Sequence, residues 1–317
     1  MILWLNVLLL LALQIPGDRG AGRASEQQET ATPDSVRHAL LISDTTGMET
    51  AWTVPRDPST QSLPADSALA AQIRHGFELF TKTSQKAPRF SASILSCSNC
   101  HLNAGQREKA LPLVGVAGLF PEHNKRAGRA ISLEERIIGC FLRSENATGV
   151  SGADTSRLPG VRSEEVEALA AYIHWISDPV SSAHPPSWRG QNTIAKKNLI
   201  TISALDRRRG RALFREWCAN CHGKNGEGVQ IGDKRAGPLW GPHSWNDGAG
   251  MARVYTLAGF IRYAMPYLAP GTLNDKEAQE IATYINSQPR PAFPFKDRDY
   301  PGQKVPEDAV YYPSGKK

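Results

Sequence analysis

The sequence predicts an all-α fold in which one small helical plan occurs twice. Three observations lead to it. The pattern Cys-x-x-Cys-His stands at Cys97-Ser98-Asn99-Cys100-His101 and again, 121 residues later, at Cys218-Ala219-Asn220-Cys221-His222. Apolar residues at helical spacing precede each copy and recur before each half ends. The 27 Gly and 22 Pro among 317 residues disfavour long helices or a large sheet and suit loop-rich units. That length also exceeds one ordinary domain of about 100–200 residues.

Composition narrows the function classes. An apolar share of 40% and a mean hydropathy of -0.38 exclude a polytopic membrane protein. The net charge of +6 comes from scattered cations, with short clusters only at Arg207-Arg208-Arg209 and Lys196-Lys197, so no nucleic acid is expected as a partner.

Residues 2–15 form an apolar run that Pro16-Gly17 breaks, followed by small residues from Gly20 to Ala24. This reads as a signal peptide over 1–24, cut after Ala24, which places the mature protein in the periplasm without membrane association; the alternative, given the missing basic n-region, is an uncleaved anchor. Its removal takes Arg19, Arg23 and Asp18 and leaves a charge of +5. Residues 25–65, rich in Ser, Thr, Pro and Gln, are an extended lead-in. A first domain over 66–178 opens at Asp66 with a helix marked by Leu69, Ile73, Phe77 and Phe80. It closes with another, marked by Val166, Leu169, Ala170, Ile173 and Ile176. Residues 179–203 are a linker. A second domain over 204–288 repeats the plan: a helix from Arg207 to Trp217, the motif, a loop with Gly223, Gly226 and Gly228, and a helix from Asp275 to Asn286. The proline-bearing tail, 289–317, lies extended over the surface.

Each Cys-x-x-Cys-His is a c-type haem attachment sequence. Two thiols reach the two vinyl groups on one porphyrin edge while the adjacent imidazole swings under the iron. Disulfides or a zinc site do not need this spacing. The cofactors expected are therefore two covalently bound haem c groups, on Cys97 and Cys100 with His101, and on Cys218 and Cys221 with His222. The fold class becomes two cytochrome c-like haem domains in tandem, with loop-rich N- and C-terminal extensions.

Distal ligands separate a carrier from an enzyme. The methionines are Met1, Met48, Met251 and Met265. Met265 lies 43 residues after His222 and leads into the last helix, where a small cytochrome c presents its thioether; Met251 is the rival. Met/His ligation raises the potential and suits electron transfer. Pro238 resembles the residue whose carbonyl fixes the proximal imidazole in such domains. No methionine occurs between His101 and Met251, so the first haem takes Cys140, His123 or His174, or has an open site. Cys140 lies on a helix that Ser132 and Glu135 start as a capping box. On it Arg136, Cys140, Arg143 and Ser144 fall within about 100° of one another, with Ile137, Ile138, Phe141 and Leu142 on the other side. A sulfur sharing a face with two guanidiniums suits an iron ligand or a nucleophile. A buried structural cysteine or an intermolecular disulfide are the alternatives.

The run Arg136-Ile-Ile-Gly-Cys140-Phe-Leu-Arg143-Ser144-Glu-Asn-Ala147 carries a resemblance. So do the first motif extended by Leu102-Asn103-Ala104-Gly105, Phe120-Pro121, Arg126, Gly250-Met251, Met265-Pro266 and the Pro-Arg-Pro tail. From about Trp52 onward the chain resembles the dihaem thiosulfate dehydrogenase family. The resemblance implies an oxidoreductase that couples two thiosulfate ions to tetrathionate, reversibly in some members, at a His/Cys-ligated haem. Electrons then leave through a His/Met-ligated second haem to a small soluble cytochrome c or a similar periplasmic acceptor. It also implies Cys140 as distal ligand and catalytic thiol, and Arg126, Arg136 and Ser144 as substrate contacts. Some members carry a lysine immediately before the distal methionine that alternates as ligand; here that position is Ala264, so no ligand switch is expected. The alternatives are a dihaem electron carrier, a subunit conjugating thiosulfate to a sulfur-carrier protein, and a dihaem peroxidase.

Overall fold

The computed structural model describes residues 56–149, 154–177, 189–232 and 234–313. The expected signal peptide, most of the expected lead-in and the first part of the expected linker lie outside the described residues. Six helices of eleven residues or more carry the fold: α1 Ser67–Thr81, α2 Leu133–Arg143, α3 Glu164–Ser177, α4 Arg207–Trp217, α5 Val254–Ala264 and α6 Asp275–Ile285. Two short antiparallel ladders are the described strands. β1 Glu122–Asn124 pairs with β2 Arg129–Ile131, and β3 Gln230–Ile231 with β4 Lys234–Arg235. No described helix is long and apolar enough to cross a membrane.

The helix starts are written in the sequence. Asp66 accepts from the Ala68 and Leu69 amides ahead of α1, and Asp206 does the same for Arg208 and Arg209 ahead of α4. Ser132 with Glu135, and Asn274 with Glu277, close capping boxes at α2 and α6. α5 was not expected: seven of the eleven residues over 254–264 are buried, and the outward strip is only Tyr255, Thr256, Arg262 and Tyr263, of which Arg262 alone is charged.

α1 crosses α3, and α4 crosses α6, by the same device. A Cβ on Gly76 would stand 2.0 Å from the Ala168 carbonyl oxygen, and one on Gly210 would stand 2.0 Å from that of Glu280. Glycine is what lets the two backbones touch. Four residues on, Phe80 and Phe214 pack at ring distances of 5.5 and 5.6 Å on Tyr172 and Tyr284, which themselves follow the crossed carbonyls by four residues. Each such aromatic pair contributes about 0.5–1.5 kcal/mol beyond its buried area.

The two apolar cores are not separable in sequence. One gathers Ile73, Phe80, Phe141, Leu169 and Tyr172. The other, around Phe214, Leu257, Ile261 and Ile281, also takes in Leu95, Leu102 and Ala110 from the segment around the first motif. The tail returns across both. The Asp247 and Val254 amides donate to the Pro291 and Asp308 carbonyls, and the Tyr300 amide donates to the Arg126 carbonyl.

Candidate active site

The first motif follows a hydroxyl scaffold. Thr83 Oγ1 accepts from the Cys97 amide at 3.1 Å and lies 3.4 Å from Cys97 Sγ, while the Ser96 hydroxyl accepts from the Thr83 amide at 3.0 Å. Cys97–Asn99 then form a short 3-10 turn that brings Cys100 and His101 to the same wall. The His101 Nδ1–H donates to the Leu111 carbonyl at 2.6 Å, which orients the ring and leaves Nε2 for a metal. Burial pulls the imidazole down to about 4, so it is neutral, as ligation requires; burial likewise pushes the Cys100 thiol up to about 12.

These groups line a cavity of about 440 Å³. α2 and its C-cap supply Arg136, Cys140 and Ser144 to its wall, and Phe80, Leu113 and Ile137 are among its apolar residues. Arg136 Nη1 lies 3.5 Å from Cys140 Sγ. The Ser144 amide donates to the Cys140 carbonyl at 2.7 Å, which sets the end of the helix. An apolar cavity holding two thiols at attachment spacing, a neutral oriented imidazole and a further thiol fits a covalently attached haem. His123 and His174 are exposed and do not line it.

The remaining expected residues stand elsewhere. Arg126 does not line the cavity: its Nη1 donates to the Gly248 carbonyl at 2.6 Å and its Nε lies 3.8 Å from Asp299. Arg143 shares the helical sector of Cys140 in a wheel projection, yet its guanidinium turns to Asp299 and the ring of Phe293, 4.0 Å away. The last turn of α2 is pulled toward the tail.

At the second motif, Cys218 caps α4 and the turn Ala219–His222 follows. His222 Nδ1–H donates to a carbonyl at 2.9 Å, but the acceptor is Gly237 and not Pro238. The acceptor is the carbonyl of the residue that precedes a proline. The first site uses the same arrangement, since Leu111 precedes Pro112. Met265, half-buried, follows α5 and packs on the core that also receives Cys218 and Leu239.

Three features of the cavity had no clear signal in the sequence. Met251, 8% exposed, lines the first site although it comes from the second half of the chain. Glu145, buried, accepts from the Ser91 and Ser93 hydroxyls at 3.0 and 2.9 Å, and burial pushes it up to about 7. Arg189 pairs with Glu122, both lining the cavity.

Residues 206–285 match the family model described as cytochrome c oxidase, cbb3-type, subunit III, which makes this part a cytochrome c domain. A thiosulfate dehydrogenase of Psychrobacter arcticus is 34% identical over 253 residues, covering 79% of this chain and 73% of its own. That of Allochromatium vinosum is 33% identical over 277 residues, covering 86% and 97%. The chain belongs to the thiosulfate dehydrogenase family. A solved structure of a thiosulfate dehydrogenase (TsdBA) from Marichromatium purpuratum superposes with a TM-score of 0.67 at 34% identity. It matches 77% of this chain, which spans about half (51%) of the Marichromatium one. Thiosulfate dehydrogenases are oxidoreductases, and the cytochrome c domain supports haem c as the cofactor.

Proposed function

We propose that this protein oxidises two thiosulfate ions to tetrathionate at Cys140. The supporting observation is the convergence of Arg136, Cys140 and Ser144 on the cavity that holds Cys97, Cys100 and His101. Two haem c groups belong to this reading. Cys97, Cys100, His101 and Cys140 would hold the first, and Cys218, Cys221, His222 and Met265 would hold the second. The repeated glycine crossing and the repeated imidazole-to-carbonyl bond support two cytochrome c domains in tandem, over 66–178 and 204–288. Export to the periplasm by residues 1–24 belongs to the same proposal.

When bound, haem supplies an electron acceptor beside the sulfur chemistry and passes charge toward a periplasmic acceptor protein. The polypeptide does the rest. Arg136 presents a fork of N–H donors to a sulfonate dianion, and Ser144 adds a hydroxyl. The Cys140 thiolate and the sulfane sulfur of one thiosulfate form a sulfur–sulfur bond, giving a cysteine S-thiosulfonate and releasing two electrons. A second thiosulfate attacks the sulfane sulfur of that adduct, the bond to Cys140 breaks, and tetrathionate leaves with the thiolate restored. Sulfur exchange of this kind needs a good leaving sulfur and an accessible one. Met251, also on the cavity wall, is a thioether; it can ligate but cannot carry the adduct.

Assay of purified, haem-loaded protein with thiosulfate and an artificial one-electron acceptor tests this. Tetrathionate should accumulate at one mole per two moles of acceptor reduced. Turnover that depends on an added sulfur-carrier protein would contradict it.

A further inference from the structure

The cations that look scattered in the sequence are gathered by the fold. Between residues 207 and 224 stand Arg207, Arg208, Arg209, Arg211, Arg215 and Lys224, against Glu216 as the single acid. α4 buries Gly210, Leu213 and Phe214. At about 100° per residue, Arg208, Arg211 and Arg215 therefore share a sector of about 60° on the opposite, exposed side. Arg209 alone leans toward α6, where it pairs with Glu277 and Glu280 at 3.6 and 3.0 Å.

This face borders a concavity of about 830 Å³ lined by Arg211, Arg215 and Lys224 together with Ala219, Asn220 and Trp240. Among the described residues, no carboxylate lines it. The nearby Glu227 is turned back, accepting from the Asn225 amide at 2.9 Å. Ala219 and Asn220 are the two residues between Cys218 and Cys221, and Cys221 is exposed, so the concavity abuts the second attachment site.

We propose that this concavity receives acidic side chains of a protein electron acceptor, docked over the second motif. The proposal rests on the reading that electrons leave by way of that motif. An electron must cross at short range, and a surface with one sign of charge around the crossing point steers a partner of the opposite sign and raises its encounter rate. The concave shape lets a projecting Asp or Glu of the partner reach three cationic side chains at once. One electron moves from the reduced protein to the oxidised acceptor, and no bond is made or broken.

The test follows reoxidation of chemically reduced, haem-loaded protein by stopped flow, with a small c-type cytochrome of net negative charge as acceptor. The charge-reversed double variant Arg211→Glu/Arg215→Glu should react at least about tenfold more slowly than the unaltered protein at low ionic strength, and the difference should vanish near 0.5 M salt, where the Debye length is a few ångströms (~3 Å at 1 M). Lys196→Glu/Lys197→Glu, changed at exposed positions outside the concavity, should react normally. A cationic cobalt(III) phenanthroline complex should not be slowed by either variant. An unchanged rate with the acidic cytochrome would overturn the proposal, as would equal slowing of both acceptors. Because reduction is chemical, failure of thiosulfate turnover does not enter. A protein showing no second haem absorbance before mixing would instead defeat the exit reading on which the proposal rests.

Discussion

Arg143 grips both carboxylate oxygens of Asp299, at 2.7 and 2.9 Å, across 156 residues of chain. Asp299 is 5% exposed and also accepts from the Tyr312 hydroxyl at 2.5 Å, while Arg126 stands 3.8 Å away. A third anchor, the Gly248 carbonyl, takes donors from both arginines, so α2, the loop after the second motif and the tail meet at one ionic knot. Removing one partner leaves a buried charge uncompensated, which costs about 3–5 kcal/mol. Asp299→Ala should therefore lower the unfolding free energy by that order in denaturant titration, and Tyr312→Phe by about 1 kcal/mol. Equal stability of Asp299→Ala and the unaltered protein would remove the knot from the account.

How much of this was legible in the sequence depends on the range of the interaction. α1, α3, α4 and α6 announce themselves through caps and apolar period, and both Cys-x-x-Cys-His motifs are contiguous strings. Cys140 could be placed with Arg136 and Ser144 because helical spacing is local geometry. The fate of Arg143 could not, since a wheel projection does not know that Asp299 lies 156 residues downstream. The bond from Arg126 to the Gly248 carbonyl spans 122 residues and was hidden for the same reason. Met251 entered the first cavity through packing between the halves, which no periodicity encodes. The carbonyl for His222 was displaced by one residue, and the Leu111-Pro112 and Gly237-Pro238 pairs were the signal available for it.

Arg136 and Arg126 should separate. Arg136→Gln removes a charge-assisted donor on the cavity wall and should weaken apparent thiosulfate affinity by about 1.5–3 kcal/mol with stability unchanged. Arg126→Gln should lower stability and affect affinity less, because its guanidinium is committed to Gly248 and Asp299. Steady-state kinetics paired with denaturation decides this, and the reverse pattern would return Arg126 to the substrate.

Met265→Ala should abolish the sulfur-to-iron absorbance of the ferric second haem and lower its potential, because a thioether stabilises ferrous iron. Met251→Ala should leave that band intact, since Met251 lines the first cavity. Redox titration of both variants is the check, and loss of the band in Met251→Ala alone would exchange the two assignments.

The most direct measurement is turnover by Cys140 variants with both haems attached. Cys140→Ala should lose tetrathionate formation while absorbance of both thioether-linked haems persists, because attachment rests on Cys97, Cys100, Cys218 and Cys221. Cys140→Met should regain a sulfur ligand without regaining activity, since a thioether cannot form and release the S-thiosulfonate. Tetrathionate formation by Cys140→Ala at a rate near that of the unaltered protein would contradict the account.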